Sequence, residues 1–180
     1  NKACAIISDN AANMHKMRDI IKQKYQNIEV IGCAAHGLNL LVKDIASVEK
    51  FNSIISSTKT IVNEINNSAV KLAKFDFLRE GKCNRLCTYT TIRWNSLKNM
   101  LQSVLNARDV IGMLALNNDI TNQDNLKLIL NSSGLFWKDI ADLIAKINPI
   151  STAINEVQND KSIVSKIPKF PLNYDQVSKT

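Results

Sequence analysis

Glycine and proline are scarce in this chain, 5 and 3 residues out of 180. That scarcity excludes collagen-like, Pro-rich and Gly/Ser-linker architectures and favours an ordered, largely helical chain. No apolar run approaches the ~20 residues that cross a bilayer, and no basic–apolar–small leader opens the sequence, so no membrane partner is expected. Four cysteines, Cys4, Cys33, Cys83 and Cys87, are too few and too scattered for a secreted disulfide framework, which points to an intracellular protein. Internal repeats and low-complexity segments are absent. What is present is an ordinary apolar fraction of 45% and a formal net charge of +7, with a pI near 9.3. The chain is long enough for one or two domains with a real core. The positive excess favours an anionic partner, nucleic acid first, although it is spread along the sequence. The chain opens directly into a strand without an initiator Met and reads as a piece of a longer protein.

Two runs near the N-terminus organise the rest. Ala3 to Ser8 is continuously apolar, as in a strand buried on both faces, and Asp9-Asn10 ends it. A helix follows from Ala11 to about Tyr25, with Met14, Met17, Ile20 and Ile21 at helical spacing. Ile28 to Ala34 is the second strand. Two strands joined by a helix without a hairpin turn should be parallel. Beyond His36 the period is helical throughout. One bent helix or two run from Leu38 to about Asn67, and a short one runs from Ala69 to Leu78. Cys83 to Thr91 is irregular. From Ile92 a stripe of Trp94, Leu97, Leu101, Val104, Val110 and Leu114 continues to a break at Asn117-Asn118-Asp119. Thr121 or Asn122 caps the next helix, and Leu135 to Asn148 forms the last, which Pro149 interrupts or kinks before Ile150 to Gln158. The tail from Ser165 reads as loop. The fold class is therefore mainly α with a small α/β part.

Asp9 is the sharpest chemical residue. A carboxylate just past a strand's carboxyl end can ligate Mg²⁺ or Mn²⁺, which prefer oxygen donors; it can equally cap the following helix. Cys33-Ala34-Ala35-His36 has metal-ligand spacing, and Cys83 with Cys87 could complete a zinc set, though predicted helices separate the halves. The simpler reading packs Cys33 in the second strand and leaves His36 hydrogen-bonding at a helix start. Arg93-Trp94 pairs a cation with a large aromatic, a combination that holds phosphate and stacks on an unpaired base, or else anchors a helix in the core. Phe136-Trp137 reads as core. Lys71, Lys74, Arg79, Lys82, Arg85 and Arg93 form the densest basic region, a candidate DNA-facing surface.

Taken in order, Ser8-Asp9-Asn10-Ala11-Ala12-Asn13-Met14, Cys33-Ala34-Ala35-His36-Gly37-Leu38-Asn39-Leu40-Leu41, Thr91-Ile92-Arg93-Trp94-Asn95-Ser96, and Phe136-Trp137 with Asn148-Pro149-Ile150 resemble the hAT superfamily of DNA transposases and their domesticated relatives. The resemblance implies that residues 1–35 are part of a ribonuclease H-like catalytic core and that residues 36–180 are an incomplete helical insertion domain. Asp9 would be the second acid of an Asp-Asp-Glu site for Mg²⁺ or Mn²⁺, its first acid upstream of Asn1 and its third beyond Thr180. Glu156 comes too early to be that third acid. His36 would stand near the active site, and Arg93 and Trp94 would contact DNA, holding a flipped base during hairpin formation. The parent would cleave and transfer DNA strands in the nucleus, acting on transposon ends and target DNA, as a homo-oligomer. The fragment by itself would be inert and hold no metal tightly. The alternative is a domesticated, non-catalytic DNA- or protein-binding derivative.

Overall fold

A computed structural model describes residues 4–90 and 94–158, with only the backbone of Trp94. Arg93 and the tail from Ser165 lie outside the described residues. The chain opens with β1 (Ala5–Ser8), α1 (Ala12–Lys24) and β2 (Glu29–Gly32). The strands pair in parallel with Ala5 opposite Glu29 and Ser8 opposite Gly32. The ladder is extended at its two ends by Glu29 N–H donating to Cys4 O (3.0 Å) and Cys33 N–H donating to Ser8 O (2.7 Å). The helical crossover is what a parallel pair requires, since a tight turn cannot reverse the chain twice.

The expectation that the first strand is buried on both faces is corrected. Ile6 and Ser8 are half-buried, but Ala5 and Ile7 are exposed, Ile7 at 55%. Among the described residues α1 packs against β2, and the face of β1 that carries Ala5 and Ile7 stays exposed. The crossover helix shows the same economy of contact. Its expected apolar stripe is only half sunk, with Ile20 56% exposed, and its one buried residue is Arg18.

Among the described residues seven helices follow: α2 (Ala34–Ser47), α3 (Glu49–Asn66), α4 (Ala69–Arg79), α5 (Trp94–Asn106), α6 (Arg108–Leu116), α7 (Gln123–Leu130) and α8 (Leu135–Gln158). The long pattern through Asn67 resolves into two helices because Val48 adopts an extended conformation (φ −57°, ψ 127°). Ala107, at φ −92° and ψ 10°, divides the next stripe into α5 and α6. Gly81, at φ +69°, follows the end of α4, where a side chain would be strained. Asn122 caps α7 by accepting from Asp124 N–H and Asn125 N–H, both at 3.0 Å.

Pro149 does not stop α8. Both Pro149 and Ala145, whose carbonyl loses its partner, are exposed, so water can meet that carbonyl. Burial on the opposite side, through Ile147, Ser151 and Ile154, holds the helix together across the proline. Phe136 and Trp137 are core, their rings edge to face at 5.1 Å, and Trp137 Nε1 donates to Ile129 O (3.4 Å). Thr58 sinks its hydroxyl into the core by donating to Ile54 O (2.7 Å) one turn back.

One carboxylate ties the helical part together. Glu64 on α3 accepts from Lys71 Nζ (2.7 Å), Thr121 N–H (2.6 Å), Asn122 N–H (3.2 Å) and Asn125 Nδ2 (2.9 Å). It thereby fastens α4 and the start of α7 to α3. Burial pushes its pKa up, but the donated bonds of Lys71, Asn125, Thr121 and Asn122 together outweigh it and hold the group at about 2. A carboxylate in the unfolded chain titrates near ~4.3, so this lowered pKa contributes stability above that pH, and the contribution is lost as pH falls toward about 2. Glu64→Gln should cost about 1–3 kcal/mol in urea unfolding at pH 7 and flatten the acid limb between pH ~4.5 and ~2. An unchanged acid limb would show that Glu64 is not the group responsible.

Candidate functional site

The carboxyl ends of β1 and β2 lie side by side because the strands are parallel, and the chain turns from each directly into a helix. Asp9 occupies the first of these turns and is exposed. Its Oδ1 accepts from Ala11 N–H (2.9 Å), a local turn that leads into α1. The residue at the helix N-cap is Ala11, without a side-chain cap, so Asp9 organises the turn rather than capping the helix. Its second carboxylate oxygen has no partner among the described residues.

Three neighbours hold this turn. Arg18, 9% exposed, donates from Nη1 to Ser8 Oγ (2.8 Å) and to Asp9 O (2.5 Å), and from Nη2 to His15 Nδ1 (2.9 Å). Asn10 reaches the second strand, where its Nδ2 donates to Cys33 O (3.1 Å). Gly32 makes room for it: a Cβ there would fall 2.4 Å from Asn10 Oδ1. The Asp9 turn is thus anchored from below by α1 and from the side by β2. Composition gave no sign of Arg18, because a basic residue in a polar helix reads as a solvated one. The i, i+3 relation of His15 to Arg18 was the one available signal.

Cys33 follows β2 at the N-cap position of α2 and is half-buried; His36 sits in the first turn of α2, also half-buried. All four cysteines are free thiols. Among the described residues no three His, Cys, Asp or Glu gather as a metal site, so Cys33, His36, Cys83 and Cys87 are not assembled as a zinc set. Asp9 is chemically suited to a hard cation as a single oxygen ligand, and among the described residues it belongs to no group of three or more His, Cys, Asp or Glu.

Lys50 pairs with Asp139 (2.7 Å) and Lys146 lies over the Phe51 ring (5.8 Å), so α3 begins against the first half of α8. α2, joined to α3 through Val48, also packs against α8. Ala35 in the first turn of α2 is buried apart from the main core, as is Ile154 on α8. α5 is antiparallel to α8: Asn95 Nδ2 donates to Asn155 Oδ1 (3.2 Å) and Lys98 Nζ to Asn148 Oδ1 (2.5 Å). The backbone of Trp94 therefore starts α5 beside the C-terminal turns of α8.

The basic region has a different character from the one its composition suggests. Lys71 pairs with Glu64 and Lys74 with Asp119, while Arg79 and Arg85 both clasp Asp76. Hydrogen bonds from Arg85 and then Arg79 hold the Asp76 carboxyl below its ordinary range. Lys82 donates to Leu78 O (3.0 Å). These cations fasten the irregular 83–90 segment and the 119–122 turn onto α3 and α4. α4 also exposes Val70 and Phe77, the latter at 80%.

Gly32→Ala should displace the Asn10 side chain at a cost below about 1 kcal/mol, because a flexible amide gives way more readily than backbone. The expected readout is faster exchange of the Asn10 side-chain amide protons with the helical signals unchanged. Retention of the Asn10 signals would mean that the close approach is relieved elsewhere.

Comparison with known proteins leaves this region as the one with a recognisable signature. No curated protein and no solved structure matches the chain. No helix among the described residues is long and apolar enough to cross a membrane. Residues 1–61, which hold the two strands, Asp9 and His36, match the family described as Domain of unknown function (DUF659), a family associated with hAT-type transposase-like proteins.

Proposed function

We propose that this chain is part of a hAT-type DNA transposase or of a protein derived from one. The observation that carries the reading is Asp9, an exposed carboxylate at the carboxyl edge of a parallel strand–helix–strand unit, within the stretch that matches DUF659. In this reading residues 1–35 contribute to a ribonuclease H-like core and residues 36–180 to a helical insertion. The working protein would be nuclear, would assemble as a homo-oligomer, and would act on transposon ends and target DNA.

Asp9 would supply one oxygen ligand to Mg²⁺ or Mn²⁺, with further acids contributed from elsewhere in the parent protein. Such a cation, when bound, activates water and stabilises charge on the phosphoryl oxygens. The chain's own residues do the rest by position. The anchored turn keeps Asp9 facing outward, and His36 at the first turn of α2 offers a donor on the phosphate side. Arg93 and Trp94 would meet the DNA end by charge and stacking. That α2, which carries His36, and α5, which Trp94 begins, both pack against α8 supports a shared role for His36 and Trp94.

The test is cleavage of transposon-end DNA by the full-length protein with Mg²⁺ or Mn²⁺. Asp9→Asn should reduce strand cleavage at least ~100-fold while leaving DNA binding intact. Trp94→Ala should weaken end processing by about 1–3 kcal/mol through lost stacking. DNA or protein binding without cleavage, unaffected by Asp9→Asn, would favour a domesticated, non-catalytic derivative.

A further inference from the structure

We propose that Arg18 is a positioning residue that presents Asp9 to the cation; the inference rests on the reading of Asp9 as a metal ligand. A guanidinium is costly to bury without a compensating anion. Arg18 is nevertheless the one buried residue of α1, and among the described residues it makes no ion pair. Its three bonds are all made around a single turn: Ser8 Oγ, the Asp9 carbonyl, and His15 Nδ1. Since guanidinium nitrogens only donate, Nδ1 is the accepting nitrogen of His15.

The way these bonds are directed gives them their meaning. Arg18 grips the main chain of Asp9 and leaves its carboxylate alone. A cation paired with that carboxylate would compete with a metal; a cation held on the carbonyl fixes the residue and leaves the acid's charge available. With Oδ1 taken by Ala11 N–H, the side-chain torsion is held too, and the second oxygen of this exposed residue has no partner among the described residues. Asn10, seated over Gly32 and bonded to Cys33 O, prevents the turn from swinging about the Arg18 contact. Lysine cannot replace this arrangement, because a single ammonium lacks the two nitrogens of a rigid plane that reach the Asp9 carbonyl and His15 together.

The experiment follows the isotope-labelled 180-residue chain by NMR, with Mn²⁺ as the probe and amide exchange as a metal-free readout. In the unaltered chain Mn²⁺ should broaden the amide signals of residues 9–11 first, and Asp9→Asn should abolish that preference. Arg18→Met, which keeps the buried stem, should raise the Mn²⁺ concentration needed roughly tenfold and speed exchange of Ala11 N–H to a similar degree, with the α3–α8 signals unchanged. Arg18→Lys, the variant that also preserves charge, should fall between and serves if Arg18→Met does not fold. Ala11 exchange and Mn²⁺ broadening that are unaltered in both variants would overturn the role of Arg18 while leaving Asp9 as a ligand. Absence of any preference for residues 9–11 in the unaltered chain would remove the metal reading of Asp9, and this inference with it.

Discussion

Keeping one stripe of α8 dry governs the arrangement of the helical part. Phe136, Trp137, Ile140, Leu143, Ile147 and Ile154 are all buried, and their burial requires α2, α3 and α5 to lie against the same helix. Hydrophobic burial has no direction of its own, so polar contacts set which way the flanking helices run. The Lys50–Asp139 pair sets the start of α3 against the first half of α8, and the Asn95–Asn155 and Lys98–Asn148 bonds run α5 antiparallel to it. That direction brings the start of α5, with the backbone of Trp94, beside the C-terminal turns of α8.

The electrostatics divide in the same spirit between holding and presenting. Glu64 gathers Lys71, Asn125 and the backbone N–H groups of Thr121 and Asn122, Asp76 gathers Arg79 and Arg85, and both are held acidic by doing so. Asp9 has one local bond and leaves an oxygen unengaged. Buried or multiply bonded acids stabilise a fold, whereas a fixed acid with spare coordination suits a ligand role. The contrast rests on geometry alone, and it separates three carboxylates that composition treats alike.

Much of this architecture could be read from the chain before its structure. Short apolar runs located both strands, period-3.6 patterns located nearly every helix, and the apolar–Asp–Asn junction located the Asp9 turn. What escaped had physical causes. Val48 and Ala107 break helices without the Gly or Pro that usually announces a break, so the first stripe left one helix or two open and the second concealed the division into α5 and α6. Pro149 announces a break that packing on the buried side overrides. Ala3 to Ser8 suggested a strand covered on both faces, because a run of apolar residues cannot say how many neighbours are there to cover it. Arg18 was invisible because residue type predicts a charge's average environment and its actual environment is tertiary. For the site, Asp9 and His36 fall on strand and helix ends as expected, while Arg93 lies outside the described residues. The cationic surface between Lys71 and Arg85 was legible as charge but not as the ion pairs it forms.

The thin attachment of the two-stranded unit has a thermodynamic meaning. β1, α1 and β2 share few apolar contacts with the α8-centred core, and Ile7 and Ile20 remain in water. Such a unit can open without disturbing the helices, so the chain need not unfold as one cooperative body. A melting curve recorded from helical ellipticity would then report the bundle and pass over the loss of the Asp9 turn. The stability that bears on the candidate site is that of the smaller unit, set by a few hydrogen bonds around Arg18 and Asn10.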